Sequence, residues 1–349
     1  MKSLFIQFND SIKEALKRLN KSGKGSLVVV GEDDIFLGTL SDGDVRKAIL
    51  KGEKIKSSIK DIYNNNSTFL IEGSYSNQKV KKIFLKNKFD LIPIVDKDNK
   101  VVDVLNWVET FENGKSDKNP RLDVPVVIMA GGKGTRLEPF TKILPKPLVP
   151  VKDKTIIETI IERFYDLGCS QFHLAVNYKA SILKAYFEEL NPEYNISFVE
   201  EEMPLGTAGS LFLLDGKFDQ PFFVTNCDII IKADYVKLYE FHKKGGFDIT
   251  LVASAKEYVI PYGTCELNSD GQLEHINEKP KYDFLINTGL YILNPDVLSL
   301  IPQNIFYHIT HLIEDAKGQG KKVGVFPIDE DSWIDVGEWS EYKRAAEKL

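Results

Sequence analysis

Apolar residues recur at i, i+3, i+4 and i+7 from Ile12 through Ala15 and Leu16 to Leu19, the spacing of one helix face. Ser11 precedes this stripe and Glu14 follows three residues on, the order of a capping box. Two apolar runs come next, around an acidic turn at Glu32-Asp33-Asp34. The same arrangement returns 65 residues later: 27–44 lies over 92–109, with Val30 on Val95, Phe36 on Val101 and Leu40 on Leu105. Val80, Ile83 and Phe84 supply a shorter helical stripe, and Asp96-Lys97-Asp98-Asn99 a second turn. One copy of about 60 residues buries too little apolar surface to stand alone, so the two copies are expected to share a core.

After a polar stretch at 111–123 the pattern changes. Short apolar runs at 125–130, 172–177, 197–200, 222–226, 249–253 and 288–293 read as strands. Between them lie helical patterns such as 155–167, where Ile156, Ile157, Ile160, Ile161 and Phe164 share a face. Strand–helix alternation predicts an α/β fold with a mixed, mainly parallel sheet, Rossmann-like, preceded by a smaller α+β module. The expected division is 1–115 for the repeat, 116–123 for a linker and 124–349 for the larger domain. Such sheets bind ligands beyond the carboxyl ends of their strands.

Charge is divided unevenly. Residues 1–120 carry +4 and the remainder −10, within a total of −6. A net-acidic larger part argues against long nucleic acid as a partner. No apolar run approaches the roughly 18 residues of a membrane span, and Met1-Lys2-Ser3-Leu4 lacks the features of a secretory signal. Three widely spaced cysteines, Cys169, Cys227 and Cys265, form no CxxC. A cytoplasmic protein without membrane contact is expected.

The first strand of the larger domain runs into Gly131-Gly132-Lys133-Gly134-Thr135-Arg136-Leu137. Glycines just after a buried strand let backbone N–H groups approach phosphates. Leu137 stands where a dinucleotide fingerprint needs its third Gly, and no GxxxxGK[ST] is present. Ten residues from Arg136, Lys146 sits between Pro145 and Pro147, where the backbone has little freedom. Two cations beside a glycine loop suit one polyphosphate.

Taken together, GGKGTRLxPxTxxxPKPLxP resembles the signature of the sugar-phosphate nucleotidyltransferases, which join a nucleoside triphosphate to a sugar 1-phosphate. The resemblance spans about residues 124–349 and implies roles for further segments in the same order. In Pro204–Ser210, PLGTAGS, it makes Gly206 and Thr207 contacts of the nucleobase; Thr207 also reads as a helix cap. Gly131, Gly132, Gly134 and Thr135 would hold the nucleotide. Asp228, at the end of a strand, and Asp335, in Trp333-Ile334-Asp335-Val336-Gly337, would bind Mg²⁺ on the phosphates. Tyr262, Gly263, Glu278, Lys279, Asn287 and Thr288 would form the sugar-phosphate pocket. Arg136, Lys146, Asp228 and Lys279 would be the catalytic set. No hexapeptide repeat follows, so an acetyltransferase extension is not expected.

The N-terminal repeat resembles a pair of cystathionine-β-synthase (CBS) domains. Gly38-Thr39-Leu40-Ser41-Asp42-Gly43-Asp44 is similar to that family's adenosine-site segment, so Ser41 and Asp44 would face an adenine or other nucleotide. The second copy has Asp103, Asn106 and Glu109 there, without the hydroxyl. A pair that binds nothing and serves as a dimerisation platform is the competing reading, and a homodimer is expected by either. CBS pair and transferase together resemble the guanylyltransferases of bacterial legionaminic acid pathways. That resemblance implies GTP and glucosamine 1-phosphate as substrates and GDP-glucosamine as product. The alternatives are mannose 1-phosphate with GTP, or glucose 1-phosphate with dTTP or UTP. From another class comes a nucleotide-sensing regulatory protein. Among Glu200, Glu201 and Glu202 a carboxylate is available to accept from guanine N1–H and N2–H₂. All five histidines read as surface or core residues, His308 and His311 included.

Overall fold

The structure, a computed structural model, describes residues 1–87, 89–106, 121–339 and 341–342. It divides into two compact units. One contains Met1–Asp117, Ser254–Ile286 and Pro327–Asp331; the other contains Lys118–Ala253, Asn287–Phe326 and Ser332–Leu349. The linker expected at 116–123 lies, as far as residue 120, outside the described residues.

The first unit holds the sequence repeat as two small sheets of the same design. Phe5–Gln7 pairs parallel with Ser26–Val30, which pairs antiparallel with Phe36–Ser41. Leu70–Ile71, Leu91–Val95 and Val101–Asn106 do the same. Even the irregularity between Val29 and Val30 recurs between Ile94 and Val95. Leu4, Phe5, Val28, Val30 and Phe36 of the first copy share a core with Leu91, Val95, Val101 and Val104 of the second. Each copy thus covers apolar surface that the other would leave in water. Helix Ile12–Ser22 begins at Ser11, whose Oγ accepts from Glu14 N–H at 3.2 Å. The Glu14 carboxylate reaches forward to Arg18 Nε at 2.6 Å, so its charge serves an i,i+4 pair.

Packing also assigns to this unit a segment far away in the chain. Ala255 is buried in the core of the first copy, among residues of helix Ile12–Ser22. Glu257 is paired with Lys56 and, at 3.5 Å, with Lys281. Glu330 meets Lys13 at 3.8 Å and Lys256 at 3.7 Å. Chain order alone does not reveal this grouping.

The second unit is built on a sheet of seven strands. Their order is Asn195–Glu200, Gln171–Val176, Val126–Met129, Phe222–Asn226 and then, counting only the parts that fall in this unit, residues 287–293, 249–253 and 323–326 of the strands Lys281–Leu293, Ile249–Val259 and Val323–Asp329. The first four are mutually parallel, and Lys281–Leu293 runs antiparallel to its neighbour Phe222–Asn226. The expected mixed, mainly parallel sheet is therefore present. Helix Ile156–Tyr165 shows the physics that covers it. Thr155 and Glu158 form a complete capping box, and Ile156, Ile157, Ile160, Ile161 and Phe164 are all buried. Two strands exceed their expected lengths, because 254–259 and 281–287 carry polar residues and lack a continuous apolar run. Among the described residues, no helix is long and apolar enough to cross a membrane.

Candidate active site

Strand Val126–Met129 is the third strand of the sheet and delivers the first glycine loop to its carboxyl edge. Gly134 takes a left-handed conformation, φ 67°. A side chain there would meet Lys146 Cβ and Thr141 Cγ2, each 2.9 Å from the position of a Cβ. Thr141 Oγ1 donates to Gly134 O at 2.9 Å, so the loop is seated directly on the segment that carries Lys146. Lys146 follows Pro145 as the first residue of the short 3₁₀ turn Lys146–Leu148 and is only 8% exposed.

Asp228, 8% exposed, follows strand Phe222–Asn226. Its Oδ2 accepts from Lys146 Nζ in a buried ion pair. Burial pushes the Lys146 pKa down, but the Asp228 and Cys227 charges and the hydrogen bond to Asp228 together outweigh it, and the ammonium is held above its ordinary value. Just beyond Asp228, Ile229–Ile231 pairs antiparallel with Trp333–Asp335, Ile229 opposite Asp335. Val336 N–H donates to Asp228 O at 2.8 Å. That pairing brings the second carboxylate to the first. A Cβ on Gly337 would lie 2.6 Å from Asp228 Oδ2, 2.9 Å from Asp335 Oδ1 and 3.3 Å from Lys146 Nζ. All three groups converge on the bare backbone of Gly337.

Asp335 Oδ1 accepts from Gly337 N–H at 2.8 Å. Even so its pKa is raised, first by burial and then by the Asp228 charge. Two adjoining carboxylates, one resisting ionisation, fit a hard divalent cation. No cluster of three or more His, Cys, Asp or Glu ligands occurs among the described residues. Mg²⁺ is typically held by one or two carboxylates, water and substrate phosphates, and Asp228 and Asp335 are the residues that could contribute those carboxylates.

The second glycine loop is fixed from a distant part of the chain. Gly206 has φ 84°, and a Cβ there would stand 2.7 Å from Tyr307 O. Thr207 Oγ1 accepts from Ile309 N–H at 3.0 Å. Thr207 therefore serves the start of helix Ile309–Gly318, and not a helix opened by its own loop.

A cavity of about 390 Å³ joins these parts. Gly131, Gly132, Gly134, Arg136, Lys146, Gly206, Thr207 and Asp228 all line it. Thr135 opens the turn Thr135–Leu137 behind Gly134. Arg136 Nη1 donates to Glu338 Oε1 at 2.8 Å, a partner that no sequence pattern announced. Glu201, of the three consecutive glutamates, is the one on the cavity. It is 9% exposed, its Oε2 accepts from Leu205 N–H at 3.1 Å, and burial raises its pKa. Phe306 and His308 also line the cavity. Nothing in the spacing of His308 distinguishes it from the other histidines.

Asn287 and Thr288 are engaged by the fold: Asn287 Nδ2 donates to Tyr291 Oη at 2.8 Å and Thr288 Oγ1 to Val252 O at 2.9 Å. They bring Gly289 to Asn226, whose Nδ2 lies 2.5 Å from where a Cβ would sit. Tyr262, Gly263, Glu278 and Lys279 belong to the other unit. There they flank the antiparallel pair Thr264–Leu267 and Leu273–Asn277, with Tyr262 exposed. Glu278 Oε2 lies 3.1 Å from where a Gly263 Cβ would sit, so these two expected sugar contacts do meet. Ser41 and Asp44 bond to each other as the capping box of helix Asp42–Leu50. In the second copy Asp103 Oδ1 accepts from Val104 N–H at 2.8 Å, and Glu109 is outside the described residues.

The nucleotidyl transferase family matches residues 125–349, which include every residue of this cavity. The chain belongs to the nucleotidyl transferase family. A CBS domain matches residues 2–51. The mannose-1-phosphate guanyltransferase of Saccharomyces cerevisiae is 36% identical over 226 residues, covering 61% of this chain and 61% of that protein. That of Schizosaccharomyces pombe is 38% identical over 226 residues, covering 62% and 61%. The chain thus spans about three fifths of the length of the curated relatives it matches. HddC from Yersinia pseudotuberculosis is 27% identical with a TM-score of 0.52, covering 64% of this chain and 99% of HddC. HddC complexed with GMP-PN is 26% identical with a TM-score of 0.51, covering 64% and 99%. As a nucleotidyl transferase fold, the cavity lies where strand ends and glycine loops meet.

Proposed function

We propose that the chain transfers GMP from GTP to a sugar 1-phosphate, giving a GDP-sugar and pyrophosphate. The observation that carries this reading is the meeting, in one cavity, of two glycine loops, Arg136, Lys146 and the Asp228 carboxylate, with Asp335 alongside. An oxygen of the sugar phosphate attacks the α-phosphorus in line. The new P–O bond forms as the α–β bridge breaks, and its electron pair leaves with pyrophosphate. The attacking oxygen is already anionic at neutral pH, so the residues have no proton to remove. Their work is positioning and charge neutralisation. Arg136 takes the departing pyrophosphate and Lys146 the reacting phosphates. Asp228 and Asp335 would hold Mg²⁺, which supplies further neutralisation of phosphate oxygens when bound.

Guanine is favoured by Glu201, a buried acceptor beside Gly131 and Leu205, and by the names of the relatives. Those names also favour mannose 1-phosphate over the glucosamine 1-phosphate expected from sequence. The glucosamine reading, with its legionaminic acid context, rests on the resemblance drawn from the CBS pair and transferase together. We assign 1–115 to a CBS pair that regulates or dimerises, 116–123 to a linker and 124–349 to catalysis. Ser41 and Asp44 remain the proposed nucleotide contacts of the pair, and a cytoplasmic homodimer the proposed state.

The test is pyrophosphate release with Mg²⁺, crossing GTP, ATP, CTP, UTP and dTTP against mannose, glucosamine, glucose and N-acetylglucosamine 1-phosphates. A signal with GTP and one hexose phosphate supports the reading. A signal with another nucleotide overturns the guanine assignment. Silence throughout favours the nucleotide-sensing alternative.

A further inference from the structure

Tyr307 is fastened to the Gly206 loop on both sides. Its N–H donates to Leu205 O at 2.8 Å, and its carbonyl accepts from Ala208 N–H at 3.0 Å and Gly209 N–H at 3.1 Å. Its side chain turns into the core, 7% exposed, and its hydroxyl is bonded to Asp315. The residues on either side, Phe306 and His308, line the cavity instead. Their rings stand 4.8 Å apart and nearly perpendicular. Phe306 is 54% exposed, an apolar ring beside glycines and charged groups. A planar ligand covering it would take apolar area out of water and gain a stacking contact.

His308 is oriented by the same loop. Thr207 Oγ1 accepts from Ile309 N–H at 3.0 Å and stands 3.4 Å from His308 Nδ1, to which its hydroxyl proton can be donated. With Nδ1 accepting, Nε2 carries the proton and is a donor there. Arg136 and Lys146 suit the phosphates and Glu201 suits the base edge. An N–H donor suits the ribose hydroxyls between them.

We propose that Phe306 and His308 form the nucleoside wall of this cavity, Phe306 packing on the base and His308 Nε2–H donating to a ribose hydroxyl oxygen. This rests on reading the cavity as a nucleotide site.

The test is calorimetric binding of GTP, 2′-deoxy-GTP and 3′-deoxy-GTP to the full chain with Mg²⁺, with pyrophosphate release measured in parallel. His308→Ala should weaken GTP about fivefold, the worth of one neutral hydrogen bond. One deoxy analogue should bind the wild type equally weakly and lose nothing more in the variant. Phe306→Ala should weaken all three nucleotides alike, roughly tenfold. His308→Ser keeps a helix-capping hydroxyl, so it should melt like wild type and still lose the ribose discrimination. Equal loss for GTP and both analogues in His308→Ala, or unchanged GTP binding in either alanine variant, overturns the wall. If the wild type binds GTP in the expected pattern but makes no pyrophosphate with any sugar phosphate, the transfer reading falls and the wall stands.

Discussion

Lys146 and Asp228 form an ion pair within the cavity, and each is less than a tenth exposed. Removing one partner of a buried pair leaves the other desolvated and uncompensated. Asp228→Asn and Lys146→Met should therefore each lower the melting temperature. The double variant should be less destabilised than the two single losses added together, because no lone charge remains. Turnover behaves differently: either single change should reduce kcat by roughly 10²–10³, the usual loss on removing one charge-stabilising group. Thermal melts and pyrophosphate release on the three variants check both. Wild-type turnover in Asp228→Asn would remove the metal assignment.

Gly337 gives a sharper test of the carboxylate pair. Its missing side chain is what lets Asp228 Oδ2, Asp335 Oδ1 and Lys146 Nζ approach one point. Gly337→Ala would insert a methyl 2.6 Å from Asp228 Oδ2. The carboxylates must then part, and the concentration of Mg²⁺ giving half-maximal rate should rise severalfold. A magnesium titration of the variant at saturating substrates measures this. An unchanged midpoint would mean that the pair does not share a cation.

The repeat and the parallel sheet were legible because burial on both faces leaves continuous apolar runs. Val126–Met129 and Phe222–Asn226 are examples. The two glycine loops and Lys146 were legible because close backbone approach and flanking prolines restrict residue type locally. Glu201 could be narrowed only to three adjacent glutamates, since which one turns inward depends on the bond to Leu205 N–H. Phe306, His308 and Glu338 were not legible at all. They reach the site from distant parts of the chain, His308 lying 101 residues from Thr207 and Glu338 202 residues from Arg136. Likewise, the packing of Ala255 into the first CBS-like copy leaves no local sequence signal.

Glu201→Gln tests the base assignment. If its carboxylate accepts from guanine N1–H and N2–H₂, the wild type should prefer GTP to inosine triphosphate, which lacks the 2-amino group. Glutamine retains one acceptor but adds a donor facing guanine donors. The kcat/KM for GTP should fall about 10- to 100-fold, and the preference over inosine triphosphate should shrink with it. Competition assays with the two nucleotides give the ratio directly. A lower rate with the ratio intact would assign Glu201 to holding Leu205 and not to reading guanine.

His242 makes stability depend on pH away from the site. It is buried between Thr250 Oγ1, 2.9 Å from Nδ1, and Asn294 Oδ1, 3.0 Å from Nε2. Asn294 Nδ2 donates to Phe247 O, so its oxygen faces the ring and Nε2 carries the proton. The neutral imidazole is satisfied at both nitrogens, and a second proton would require the Thr250 hydroxyl to turn from donor to acceptor. Burial lowers the His242 pKa from 6.5, although the bond to Asn294 opposes the shift. Below that value the unfolded chain binds the extra proton more readily than the folded one. The stabilisation is therefore present above about pH 6.5 and is lost as pH falls through the lowered folded value. His173, also lowered by burial, acts in the same direction. Melting temperatures should drop between neutral pH and pH 5, and His242→Gln should make that decline shallower even if it melts lower throughout. An identical slope in the variant would show that His242 does not titrate between the two states.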